Sequence, residues 1–88
     1  MSERNIELMD FWAEWCGPCK MMAPTMEEFE QDHPEIKITK VNIDENEELA
    51  EKYEVSSIPC LVLLEDGKEV KRNVGVMSLK KLEKFVGV

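Results

Sequence analysis

At 88 residues with 43% hydrophobic side chains, the chain allows one compact core and one domain, residues 1–88. A formal net charge of −8 argues against nucleic acid and anionic membrane surfaces as partners. The charge is uneven: residues 1–67 carry 17 acids and 5 bases, and residues 68–88 carry 2 acids and 6 bases.

Met1-Ser2-Glu3-Arg4 is followed by no apolar signal-peptide core, and the longest apolar run, Leu61 to Leu64, is far too short to span a bilayer. The expectation is a soluble cytoplasmic protein, where a C-x-x-C pair is more often catalytic than structural. Ile6–Phe11 is apolar-rich and predicts a buried first strand. It feeds Cys16-Gly17-Pro18-Cys19, with Pro18 early in the next helix, where its missing N–H costs nothing. Cys16 then sits at a helix start, where unpaired N–H groups and the helix dipole favour an anion. A thiolate is the species that attacks a disulfide, and Cys19, one turn on, can resolve the product. The same spacing also suits zinc, with Cys60 and His33 as the remaining candidate ligands, although His33 beside Pro34 predicts an exposed helix end.

Along that helix Met22, Met26 and Phe29 recur on one face, Pro24 predicts an interruption and kink, and His33-Pro34 ends it. Ile36–Ile43 alternates apolar and polar residues, as a strand with one buried face does. Asn46 or Asp44 is positioned to cap a short helix carrying Leu49, Ala50 and Tyr53. Ile58-Pro59 reads as a turn before a strand, where an X–Pro bond takes either isomer. Leu61–Leu64 and Glu69–Val74 flank Asp66-Gly67, a hairpin signal. Ser78 caps a last helix with Leu79, Leu82, Phe85 and Val86 inward, and Gly87 stops it. The predicted order is βαβαββα, with the first two strands parallel through a right-handed crossover.

Asp10 is out of place on a central strand unless it is paired or works as an acid–base group. Cys60 has two readings. It is either a small buried residue at a strand start, or a thiol near Cys16 that modulates the redox chemistry or bridges to it.

Asp10-Phe11-Trp12-Ala13-Glu14-Trp15-Cys16-Gly17-Pro18-Cys19-Lys20, followed by Ala23-Pro24, resembles the active-site segment of thioredoxins. The likeness continues through Lys40-Val41-Asn42-Ile43-Asp44, Ile58-Pro59, Asp66-Gly67 and Val74-Gly75, from about Ile6 to Phe85. The resemblance implies an α/β thioredoxin-like fold, a four-stranded mixed sheet of order 2-1-3-4 flanked by three helices. It implies that Asp10 is a buried carboxylate behind Cys19 that relays its proton, with Lys40 as its partner. It implies that Gly17 and Pro18 set the turn and that Trp15 covers the site. It also implies a cis-Pro59 beside the cysteines, with Ile58 and Gly75 lining the substrate approach. Trp12 is expected to be a packing neighbour. One departure is that thioredoxins commonly begin with an extra strand and helix, whereas this sequence starts a few residues before the central strand. Strand 36–43 is therefore expected at a sheet edge, with Lys37 and Lys40 available to discourage pairing.

The function implied is protein disulfide reduction by dithiol–disulfide exchange, with no cofactor and no metal. The expected partners are disulfide-containing proteins and a thioredoxin reductase, and the protein is expected to be a monomer, with a weak homodimer through the edge strand as the variant. A thioredoxin-fold accessory subunit, a glutaredoxin-like variant with a dedicated partner, and a zinc module are the alternatives.

Overall fold

A computed structural model describes residues 5–88; the segment Met1-Ser2-Glu3-Arg4, read above for its lack of an apolar core, lies outside the described residues. Seven elements follow in chain order: β1 (Ile6–Trp12), α1 (Gly17–Asp32), β2 (Lys37–Asn42), α2 (Glu47–Lys52), β3 (Cys60–Glu65), β4 (Lys68–Val74) and α3 (Leu79–Val86). The sheet order is β2-β1-β3-β4, with β1–β2 parallel and the other pairs antiparallel.

Successive side chains of a strand point to opposite faces, and β1 buries both. Ile6 and Leu8 join Met22, Met26 and Phe29 of α1 and Leu82 and Val86 of α3 in one core layer. Met9 and Phe11 join Val41, Cys60, Val62 and Leu64 in the other, against which Leu49 of α2 packs. A strand buried on both faces at the centre of the sheet fixes where its C-terminal end, and hence the Cys16 turn, can lie.

Local chemistry sets several boundaries. Asp66 and Gly67 both have positive φ, 53° and 82°, the combination a two-residue I′ hairpin requires between β3 and β4. Ser78 Oγ accepts from the Lys81 N–H at 3.2 Å, and Gly87 ends α3 in the left-handed conformation. Ser78→Ala should therefore lower stability by about 1 kcal/mol, read as a reduced urea midpoint at unchanged slope.

Three expectations change. α1 continues as one helix through Pro24, because Met22, Met26 and Phe29 stay buried on either side of the lost hydrogen bond. Asn46 holds the N-cap position of α2, as one of the two candidates, but without a side-chain capping bond: its amide donates back to the Asn42 carbonyl at 3.1 Å, Asp44 is engaged by Trp15, and Tyr53 lies past the helix as its C-cap. His33 is not an exposed helix end: its ring bonds Glu83 of α3 at 2.8 Å and packs on Phe29, leaving 19% of the side chain accessible. Among the described residues no helix is long and apolar enough to cross a membrane.

Candidate active site

The end of β1 delivers Trp12-Ala13-Glu14-Trp15 as a turn closed by the Cys16 N–H on the Ala13 carbonyl, 3.2 Å. Cys16 takes extended backbone angles as the N-cap of α1, followed by Gly17 and Pro18 in the first helical turn. The sulfurs of Cys16 and Cys19 are joined as a disulfide, their Cα atoms 5.3 Å apart. Cys16 Sγ accepts the Cys19 N–H at 3.2 Å, so the helix N-terminus points at the Cys16 sulfur rather than at its partner. That arrangement favours negative charge on Cys16 when the pair is reduced. Both cysteines are buried with Ala13, and Ile58 packs against the three.

The Ile58–Pro59 bond is cis, and the Ile58 carbonyl oxygen lies 3.9 Å from Cys16 Sγ. The Pro59 carbonyl accepts the Gly75 N–H at 2.9 Å, which brings the end of β4 to the same rim. Gly75 has φ 108°, a conformation side chains rarely adopt, and the space where a Cβ would point is open. Large apolar side chains are exposed at this rim: Trp15 is 67% exposed, and Val74 and Val76 on either side of Gly75 are also exposed. The Trp15 indole N–H donates to Asp44 Oδ2 at 2.9 Å.

Asp10 shares the α1 side of β1 with Ile6 and Leu8 and lines a cavity with Cys19, Lys20 and Lys40. Burial pushes its carboxyl up to about 6, partly offset by the charge of Lys40, its Cα partner across the β1–β2 ladder. Lys40 also pairs with Glu30 at 3.2 Å, so its charge is shared between the cavity and the outer face of α1. Trp12 packs against the cysteine cluster as expected of a packing neighbour; its indole N–H is buried and without a hydrogen-bond partner among the described residues.

Cys60 does not join this group. It is a free thiol in the Phe11–Val41–Val62 layer, 1% exposed, and burial pushes its thiol pKa up. A protonated, buried thiol reacts slowly. Peroxide treatment should therefore give Cys16–Cys19 as the main disulfide by peptide mapping, and Cys60→Thr should keep its activity; a dominant Cys16–Cys60 bridge contradicts this placement. Among the described residues no cluster of three or more His, Cys, Asp or Glu side chains is placed to hold a metal.

Two contributors were not among the site residues expected from the sequence. Asp44 holds Trp15, and its own N–H is tied to Asn42 Oδ1 at 2.9 Å. The signal was present as Asn42 and Asp44, polar residues on either side of Ile43 at the point where β2 leaves the core. Arg72 of β4 donates to the Tyr53 carbonyl at 2.6 Å and pairs with Glu69, fastening the end of α2 ahead of the Ile58–Pro59 loop.

A family model described as Thioredoxin matches residues 1–87. The chain is 51% identical over 82 residues to thioredoxin from Chlamydia trachomatis serovar D, covering 93% of this chain and 80% of that one. It is 46% identical over 86 residues to thioredoxin from Bacillus subtilis strain 168, covering 97% and 83%. Among solved structures it resembles thioredoxin from Fasciola hepatica, with a TM-score of 0.88, 41% identity, and 94% and 79% of the two chains covered.

Proposed function

The chain belongs to the thioredoxin family and is a protein disulfide oxidoreductase, and from that premise we propose how its residues divide the reaction. Cys16 is the attacking sulfur. Its thiolate displaces one sulfur of a substrate disulfide, forming a mixed disulfide and releasing the first substrate thiolate. Asp10 takes the proton of Cys19, whose sulfur then attacks Cys16, expels the second substrate sulfur and closes the Cys16–Cys19 disulfide. Lys40 tempers the Asp10 carboxyl, while Gly17 and Pro18 hold the turn open enough for Cys16 to be attacked and released.

The observation that carries this division is the Cys19 N–H bonded to Cys16 Sγ at the start of α1. It stabilises one sulfur of the pair as an anion and leaves the other beside the buried carboxyl. Substrate docks on Trp15, Ile58, Pro59 and Gly75, where an extended segment can lie along the backbone beside the cis-proline with no side chain over Gly75.

The family implies disulfide-bearing protein substrates and a thioredoxin reductase that restores the dithiol. The reading is completed by a monomeric, single-domain protein, residues 1–88, working in the cytoplasm without nucleic acid or membrane partners. Its net charge of −8 supports the last point. The test is reduction of a disulfide-bonded protein by dithiothreitol with and without catalytic amounts of this chain. Marked acceleration is expected, and an unchanged rate contradicts the proposal.

A further inference from the structure

Asp10 and Lys40 are Cα partners across the parallel β1–β2 ladder, so their side chains leave the sheet on the same face, the one covered by α1. Both line the cavity beside Cys19, where the other charged groups are Glu14 from the loop after β1 and Lys20 and Glu27 of α1. On its other side Asp10 pairs with Leu61 of β3, and the buried Cys60 thiol next to Leu61 feels its charge. Opposite charges on neighbouring strands are expected to close on each other. Among the described residues Lys40 instead makes its ion pair with Glu30, Nζ to Oε1 at 3.2 Å.

The fold explains the choice. Glu30 lies about one turn beyond Glu27 along α1 and outside the cavity. β2 is the terminal strand of the sheet order, so the flexible Lys40 stem is free to run around the sheet edge toward that turn. Both side chains are nearly half accessible to solvent. We propose that Glu30 is a positioning residue for the exchange reaction: it holds the Lys40 ammonium at the mouth of the cavity, away from Asp10, and so preserves Asp10 as an acceptor for the Cys19 proton. The inference rests on Asp10 acting as that base.

Burial raises the Asp10 carboxyl to about 6, and the Lys40 charge works against burial. A cation drawn into contact with the carboxylate would lower its proton affinity further. Such a carboxylate is ionised over more of the pH range but is a weaker base, and general-base catalysis follows basicity. Glu30 competes for the same ammonium from the wetter side. The pair is exposed, so its hold is loose and weakens with salt. Removing Glu30 acts on Asp10 in two ways of the same sign: Lys40 is released inward, and one anion is lost. Only the first needs Lys40, which separates positioning from the bare charge of Glu30. Glu14, Lys20 and Glu27 stay the same in every variant compared.

The measurement is a carbon NMR titration of the Asp10 carboxyl at low salt in the oxidised protein, where neither Cys16 nor Cys19 titrates. Wild type, Glu30→Gln, Lys40→Gln and the double variant are compared. Glu30→Gln should lower the midpoint by about half a pH unit, and Lys40→Gln should raise it. In the Lys40→Gln background, Glu30→Gln should hardly move it. An unmoved midpoint in Glu30→Gln, or equal shifts in both backgrounds, overturns the proposal. Stopped-flow decay of the mixed disulfide reads the consequence: in Glu30→Gln its pH midpoint should fall with that of the carboxyl, and its plateau rate should fall about twofold. A carboxyl that moves while the decay profile stays put supports the hold on Lys40 and strikes instead at Asp10 as the base in the proposed function.

Discussion

Cys16→Ser is expected to bring disulfide reduction down to the uncatalysed background while leaving the reduced fold intact. Exchange requires a thiolate, and a serine hydroxyl is not ionised near neutral pH, so no nucleophile remains at the start of α1. Cys19 does not substitute for it. Cys19 lines the cavity beside Asp10, and its own N–H is directed at residue 16. The side chain at 16 belongs to a small cluster with Ala13 and Cys19, against which the partly buried Trp12, Ile43 and Ile58 pack, so an isosteric hydroxyl disturbs little. Relative to the oxidised wild type the variant also lacks a short covalent loop, worth about 2 kcal/mol by chain entropy for a separation of three residues. Steady-state reduction assays and urea unfolding of reduced and oxidised protein separate the two effects. Activity above background in Cys16→Ser would assign the attack to another sulfur.

Asp10→Asn is expected to do two opposite things. It should slow the resolving step roughly tenfold to a hundredfold, because the group that accepts the Cys19 proton is gone while Cys16 is untouched. It should also stabilise the protein at neutral pH. The Asp10 carboxyl ionises at about 6 in the fold against 3.8 for an ordinary one, so the folded state holds the proton more tightly than the unfolded chain. Between those two values stability falls as pH rises, and above about 6 the full penalty is present. A difference of that size corresponds to about 3 kcal/mol, an upper figure for what the amide relieves, since it too must be desolvated. Below pH 4 the advantage of the variant should vanish. Stopped-flow decay of the mixed disulfide and unfolding midpoints from pH 3 to 8 read both effects. A wild-type resolving rate, or a stability difference that does not depend on pH, would remove Asp10 from its proposed role.

Features governed by neighbours in the sequence were legible from the sequence. The cysteine pair at a strand–helix junction, the Asp66-Gly67 turn and the Ser78 cap each follow from the chemistry of a few adjacent residues. The four-stranded order follows from one crossover and one hairpin, with the family resemblance supplying the remainder. What escaped was polar pairing across long separations. His33 finds Glu83 fifty residues away, Trp15 finds Asp44 twenty-nine away, and Arg72 reaches the Tyr53 carbonyl across nineteen. No local pattern distinguishes those side chains from solvated ones. The face of Cys60 lay between the two cases: strand alternation puts it with Val62 and Leu64, on the layer of Phe11.

The division of labour between the two sulfurs is tested most directly by trapping. Reduced Cys19→Ser should react once with a disulfide-bonded protein and stop, because nothing remains to resolve the intermediate. Peptide mapping of the product under non-reducing conditions is predicted to find the substrate joined to Cys16, with Cys60 still a free thiol. A substrate joined to Cys60, or no stable mixed disulfide at all, would contradict the account.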